Sequence, residues 1–568
     1  MSGFTAPTID WGALSPVVIV LGAAIIGVLV EAFVPARARR NAQLALSLLA
    51  TIGALVAVVL LWPGVEESGG TTVLGGSVLV DGPTLVLWGS IALFAVISLL
   101  IIADRTETGE DAFAPNAAAV PGSDYEDVAR RKGIHQTEIY PLVLFATGGM
   151  LVFPAAGDLL TLFVALEVLS LPLYLLAGMA RRRRLLSQEA SMKYFLLGAF
   201  ASALFLFGIA LIYGYSGSLR YADIATATGT PSGMESVLLV GSVLILAGLL
   251  FKVGAVPFHT WTPDVYQGAP TPITGFMGAC TKIAAFGALL RIVYTVFPDL
   301  QWDLAAILWT VAILTMVVGT VGALVQSDMK RVLGYSSIAH SGFILTGIIA
   351  LNQAGITAVL FYLLVYGAAT VGAFGIVWLV RERTRQSADG SPGPILGEAT
   401  HLSQWAGLGR TNPLLALTFA LFLLSFAGIP LTAGFIGKFG VFSAAVDGGA
   451  WPLALIGVLA SSAAAFFYVR IIVLMFFTGS ASADGEPTGT DVYVPAGDVS
   501  APISAGDGAV AVETVVETEA RSTITTTVVK TEGLAVAAIA ICALLTIVMG
   551  IAPSPVIEAI QGVASFLP

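Results

Sequence analysis

The stretch LAGLLFKVGAVPFHTW, residues 246–261, carries an apolar helix toward a break and places Lys252 two residues before it. It lies in a hydrophobic run, 236–267, that is too long for one straight span. At 1.5 Å per residue the run would extend about 48 Å, against a hydrocarbon core of about 30 Å. Gly254 and Pro257 interrupt it. Proline removes a helical hydrogen bond, and in lipid the freed carbonyl must face protein or water. The segment therefore reads as a broken membrane helix lining a polar cavity. A second run, 411–445, repeats the arrangement over about 52 Å. It is interrupted by Gly428 and Pro430 in GIPLTAGFIGKFGVF, residues 428–442, and carries Lys438 beyond its break.

The chain around these runs is apolar throughout. Of its 568 residues 57% are hydrophobic and 11% charged, with a mean hydropathy of +0.91. Soluble domains carry about 25% charged residues, so the fold class is an all-α polytopic membrane protein. Apolar runs of about 17 residues or more place spans near 14–34, 43–62, 84–103, 139–156, 158–179, 191–213, 236–267, 270–296, 304–326, 332–351, 355–380, 411–445, 451–477 and 533–553. That makes about fourteen transmembrane helices. The N-terminus, MSGFTAPTIDWG, lacks the basic stretch of a cleaved signal, so the first span is expected to be retained.

Charge tests the count independently. With the N-terminus outside, the inner loops collect Arg37, Arg39, Arg40, Arg105, Arg130, Arg131 and Lys132, then Arg181, Arg182, Arg183 and Arg184. Further on they collect Lys330, Arg331, Arg381, Arg383, Arg385, Arg410, Arg521 and Lys530, and only Arg220 falls in an outer loop. The bias of Lys and Arg toward inner loops supports this count and puts both termini on the outer side. The breaks lie in the seventh and twelfth spans, five apart. A five-helix unit must reverse its direction on repetition, so 139–296 and 304–477 form two inverted five-helix repeats, as in many transporters. Around them lie 1–138 (three helices and a polar inner loop), a polar inner loop at 479–531, and a last helix within 533–568. The loops 104–138 and 479–531 read as appendages; the Thr/Val run at the end of the second either pairs as a strand or stays without structure.

Four charged residues lie deep inside spans: Glu167, Lys252, Lys282 and Lys438. Each costs about 2.5–3.5 kcal/mol near the bilayer centre on the mildest scale. Folding alone does not require them, so ion or proton traffic is the default reading. Glu167 and Lys252 suit a pair, because a carboxylate near a buried lysine sets how tightly that lysine holds its proton. Lys282 lies about 18 Å from the inner end of its span, beyond the reach of snorkelling. Lys438 is read either as a relay or as a charge answered by the carbonyls its break frees. Lys193 lies only about a turn inside its span, where snorkelling competes with a relay role. His259 and His340 are possible proton carriers, since imidazole titrates near neutrality, or hydrogen-bonded structural residues. The run Arg181 to Arg184 is a topology signal first and a lipid-headgroup contact second. Arg291 and Arg470, near span ends, read as interface anchors. Serine, threonine and water would have to fill the gaps between the lysines.

The composition also excludes functions. Two cysteines, Cys280 and Cys542, cannot make a four-cysteine iron–sulfur site, and there is no CxxC pair, P-loop or GxGxxG turn. Any redox cofactor is expected in another chain.

FKVGAVPFHTWTPDVYQGAPTPITGFMGACTKIAAFGALLR, residues 251–291, closely resembles the subunit N family of the proton-translocating NADH:quinone oxidoreductase, respiratory complex I. EASMKYFLLGAFASALFLFG, SDMKRVLGYSSIAHSGF and GIPLTAGFIGKF extend the resemblance over most of 140–475. The sister subunits L and M and the Mrp-type cation/proton antiporter subunits share the general fold. The lysine in GFIGKF is similar to N rather than to M, which typically carries glutamate there. The resemblance implies a half-channel from the inside, a central row of lysines and an exit to the outside. It places Glu167 at the fifth-helix glutamate, Lys252 at the broken-helix lysine, Lys282 at the bridging lysine and Lys438 at the terminal lysine. Lys193 and His259 also match family positions. It further implies a proton-translocating subunit in a bacterial-type cell membrane, beside other membrane-arm subunits, with NADH, FMN, iron–sulfur clusters and quinone held by partners. A Mrp-type antiporter subunit is the alternative and predicts a cation requirement without redox turnover. An assembly scaffold with static buried bridges is the third reading.

Overall fold

The computed structural model describes residues 9–107, 109–114, 136–229, 233–384, 395–478 and 524–567. It is a helical bundle. Twelve of the described helices are long and apolar enough to cross a membrane, and two shorter apolar helices accompany them. With the two helices that follow the breaks, and a C-terminal helix, they run in chain order as α1 (Ser15–Phe33), α2 (Ala36–Ser68), α3 (Gly82–Ala103), α4 (Ile139–Ala155), α5 (Leu159–Ala177), α6 (Arg184–Ser216), α7 (Glu235–Val253), α8 (Trp261–Gly268) and α9 (Thr271–Val296). They continue as α10 (Gln301–Leu324), α11 (Met329–Ile349), α12 (Gln353–Leu379), α13 (Pro413–Ala427), α14 (Ala433–Asp447), α15 (Trp451–Phe477), α16 (Leu534–Ile551) and α17 (Ser554–Val563). Each expected span coincides with one helix or, at the two breaks, with a helix pair. Short polar side chains set several starts. Asp81, Asp158, Asp328 and Asn352 accept hydrogen bonds from Thr84, Thr161, Arg331 and Gly355 backbone N–H groups at 2.7–3.1 Å.

The helices sort by burial. α9 is wholly buried, α11 and α12 nearly so, whereas α1, α2, α6 and α15 bury only about a third of their length. The bundle thus has a protein interior and a flank of helices suited to lipid. Close approach within the interior uses small residues. A side chain at Gly319 of α10 would strike the backbone of Ala339 on α11.

The two ends of the bundle differ. At the end predicted to be inner, β3 (Val380–Thr384) pairs antiparallel with β4 (Ile395–Glu398) and β5 (Ile524–Val528). Arg40 bridges to Glu532, and Arg181 to Glu110 at 3.0 Å. The described ends of the two long loops thus pack on the bundle, and Ile524–Val528, at the end of the Thr/Val run, pairs as a strand. Residues 115–135 and 479–523 of those loops lie outside the described residues. At the opposite end, β1 (Thr71–Val73) and β2 (Val78–Val80) form a hairpin.

Arg291 corrects an expectation. It is not an interface anchor: its side chain is 1% exposed and grips Asp81, 0% exposed, through Nη2–Oδ1 at 2.7 Å and Nη1–Oδ2 at 2.8 Å. Nε donates to the Pro154 carbonyl and Nη2 to Thr84 Oγ1, while the Leu567 N–H donates to Asp81 Oδ2. One ion pair therefore ties α3, α4, α9 and the C-terminal residues together. Removing one partner of a buried pair strands the other at about 3–5 kcal/mol. Arg291→Ala or Asp81→Ala is expected to deplete the assembled protein severely, read by quantifying the subunit in membranes, whereas Arg220→Ala in the same end of the bundle leaves its abundance unchanged.

Candidate functional site

Two helix ends inside the bundle build the site. α7 stops at Gly254, whose φ is +74°, and α13 stops at Gly428, with φ +76°. Both stops are the same backbone motif. Gly254 N–H bonds Phe251 O and Ala255 N–H bonds Leu250 O; Gly428 N–H bonds Ser425 O and Ile429 N–H bonds Leu424 O. This is the Schellman closure that a left-handed glycine permits. It answers some terminal carbonyls and leaves others free in a buried setting.

Lysines occupy what the breaks leave. Lys438 Nζ donates to Phe426 O at 2.7 Å, Ala427 O at 3.0 Å and Ser461 Oγ at 2.7 Å. The expected carbonyl contact of Lys438 is therefore present, and it does not seal the lysine in. Lys438 lines a crevice of about 320 Å³ with Gly428, Ser461 and Ser462, and exposed Phe439 and Val458 also border it. At the first break the contact is indirect. Val253 O accepts from Ser341 Oγ at 2.8 Å, and Ser341 Oγ accepts from Lys282 Nζ at 2.6 Å. Lys282 also donates to Ser337 O at 2.5 Å and sits 5.8 Å from the Tyr366 ring centre. It follows a π-helical stretch, Met277–Thr281, of the kind often found at functional sites.

Lys252, buried, donates to Ser170 Oγ at 2.7 Å and Tyr194 OH at 3.4 Å. The expected direct pair with Glu167 is absent: no ion pair within 4.0 Å joins them among the described residues. Ser170, one turn beyond Glu167 on α5, stands on Lys252 instead. Glu167 remains near enough to act on Lys252 electrostatically. It is half-buried, with Oε1 buried and lacking a hydrogen bond among the described residues.

His340 joins the second half of the row. Its Nδ1 is 2.8 Å from Tyr362 OH and its Nε2 3.2 Å from Tyr468 OH, and Tyr468 bonds Ser336. It lies within electrostatic reach of both Lys282 and Lys438. His259, half-buried beyond the first break, has no hydrogen bond to the lysines among the described residues, and its Nδ1 is unpaired. Lys193 is no deep lysine. Its side chain is 42% exposed and pairs with Glu189 at 2.6 Å and Asp264 at 2.7 Å. Asp264 also takes Arg331 at 2.7 Å, and so fixes α8 to α6 and α11.

The structure thus brings Lys252, Lys282, His340 and Lys438 into one interior. It adds Ser170, Tyr194, Ser341, Tyr362, Tyr468, Ser461 and Asp264. Spacing held one hint of these: Ser337, His340 and Ser341 share one helix face in SSIAHSG. The tyrosines come from distant helices and gave no sequence signal.

A family described as the NADH:quinone oxidoreductase/Mrp antiporter transmembrane region matches residues 156–463. Subunit N of NADH-quinone oxidoreductase from Beutenbergia cavernae is 58% identical over 571 residues, covering 99% of each chain. The chain belongs to the NADH-quinone oxidoreductase subunit N family. It is an antiporter-like membrane subunit of complex I. Subunit N of Mycobacterium tuberculosis is 49% identical over 577 residues, with 99% of each chain covered. A chain of Thermus thermophilus complex I superposes with TM-score 0.70 at 29% identity, covering 96% of this chain and 100% of that one. A chain of the Mrp complex from Dietzia sp. shares the fold, with TM-score 0.72 at 22% identity over 97% of both.

Gly428 gives a direct test of the subunit N site. A Cβ there would come 2.8 Å from Lys438 Cδ, and the left-handed backbone adds about 1–2 kcal/mol of strain. Gly449, φ +80°, has open space around it. Gly428→Ala is expected to lower NADH-driven proton transport several-fold in assembled complex, and Gly449→Ala, strained but clear of Lys438, to leave it unchanged.

Proposed function

We propose that this subunit carries protons across the membrane through Lys252, Lys282, His340 and Lys438, driven by redox chemistry in partner subunits. The observation that carries the proposal is the buried row itself. Three buried ammonium groups, each held by two or three neutral oxygens, lie among serine, tyrosine and carbonyl groups rather than in ion pairs among the described residues. Static bridges would pair each lysine with a carboxylate; neutral hydroxyls leave a lysine free to lose its proton and regain it.

Protons enter from the inner side at Lys252, where Glu167 biases the lysine through space and Ser170 is the contacting group. Lys282 takes the proton across the centre, with Ser341 holding it against the end of α7. His340, bonded to Tyr362 and Tyr468, bridges toward Lys438, and the crevice beside Lys438 and Ser461 leads out. Glu167, half-exposed on α5, is the point at which a neighbouring subunit changes the state of the row. Lys193 and His259 are accessory: the first anchors α8 through Asp264, and the second stands beside the first break. The chain holds no redox centre in this reading; NADH, FMN, iron–sulfur clusters and quinone belong to other subunits. It spans the bacterial cell membrane with both termini outside, as two inverted five-helix units, 139–296 and 304–477.

The test is NADH-driven proton uptake in inverted vesicles at matched levels of assembled complex. Lys252→Ala and Glu167→Ala are expected to lower pumping and coupled quinone reduction, Lys252→Ala by roughly 10²-fold as for loss of a positioned proton carrier. NADH oxidation by an artificial acceptor should persist. Unchanged pumping per electron would leave a scaffold, and pumping lost only without Na⁺ would make the subunit an antiporter.

A further inference from the structure

Beyond the proton row, the inner end of the bundle holds a second polar cleft. It lies where Thr106, Glu110, Asp111 and Ala112, the turn Gln267–Pro270, strand β4 and the end of α12 meet. Its space of about 40 Å³ suits a small anion better than a bulky ligand. Arg181, Arg182, Arg183, Lys330 and Arg381 line it, against Glu110, Asp111 and Glu398, an excess of two positive charges.

Most of these cations have partners within the cleft. Arg181 and Arg182 reach Glu110 at 3.0 and 3.7 Å, Arg183 donates to Thr400 Oγ1 at 2.7 Å, and Lys330 donates to Ala269 O at 2.7 Å. Arg381 does not share that arrangement. It is 7% exposed, its Cζ lies 3.8 Å from the ring centre of Trp378, and Glu398 approaches it only to 3.9 Å. Burial disfavours its charge, and Glu398 answers only part of that. Among the described residues its Nε has no hydrogen-bond partner, nor has Nε1 of Trp378, which is 2% exposed. Buried donors are ordinarily bonded, and two unpaired ones stacked on each other at one cleft are unusual.

We propose that this cleft is a phosphate site, with the unpaired N–H groups of Arg381 and Trp378 as donors and the excess positive charge as its electrostatic basis. Arginine N–H groups fit phosphate oxygens, and basic pockets between membrane helices on the inner side suit anionic headgroups. The occupant is a phosphate group, carried by an anionic phospholipid or free in solution. The site would clamp β4 and residues 109–112 against α9 and α11, because Glu398 of β4 also reaches Thr271 Oγ1 at 2.6 Å and Lys330 at 3.5 Å.

Hydrogen exchange on the whole complex tests this at residues 109–114 and 395–400. The complex is compared in a maltoside detergent without phosphate, in the same detergent with inorganic phosphate, and in phosphatidylglycerol nanodiscs. Slowing of about tenfold with inorganic phosphate supports free phosphate. Slowing only in nanodiscs, and its loss in Trp378→Phe, supports a lipid headgroup. Trp378→Phe keeps the ring under Arg381 and removes one donor; Arg381→Lys is the second variant and should abolish the same effect. No slowing in either condition, or slowing undiminished in Trp378→Phe, overturns the site.

Discussion

A helix that ends inside a membrane protein leaves carbonyls with no partner, and the interior of this bundle is arranged around two such ends. In hydrocarbon each unpaired backbone group costs several kcal/mol. A buried ammonium carries a cost of its own. Placed together, each offsets the other, and the negative end of the helix dipole adds to the match. Lys438 meets the α13 end directly, whereas Lys282 meets the α7 end through Ser341. Neither arrangement needs a carboxylate, so the lysines are stabilised in the bundle without being fixed as salt bridges. That separates them from Arg291 and Asp81, whose bidentate grip is structural and leaves no free valence for transfer.

The same constraint explains where polarity lies in the bundle. The helices bearing Lys282 and His340 are the most enclosed, so the row runs through the interior rather than along the lipid flank. Its ends are less enclosed: Glu167 is half-buried on α5, and Lys438 lines the crevice that exposed Phe439 and Val458 border. A row closed in the middle and accessible at its ends suits a subunit that works between neighbours. Asp264 ties α8, which follows the first break, to two cations on two different helices.

The spans, both breaks and the deep lysines were legible because they obey local rules: run length, glycine and proline, and charge against an apolar background. What was not legible depends on contacts across the fold. Arg291 looked like an anchor because it sits near a span end, while its partner lies 210 residues away. Glu167 and Lys252 suited a pair because a carboxylate beside a buried lysine would set its hold on a proton; Ser170, a serine in an apolar run, takes the contact. The tyrosines around His340 come from α12 and α15, and no sequence period links them to α11. Lys193 was legible only as ambiguous, since depth along a helix does not say which face a side chain occupies.

The central claim is that Lys282 and Lys438 belong to one path. The direct test is the number of protons moved per electron in Lys282→Met, Lys438→Met and the double variant, at equal assembly. Groups acting in series are non-additive, so one path predicts that the double variant pumps no less than the weaker single variant. Losses that add, with each single variant keeping a separate share of the pumping, would contradict it and divide the row into two independent routes.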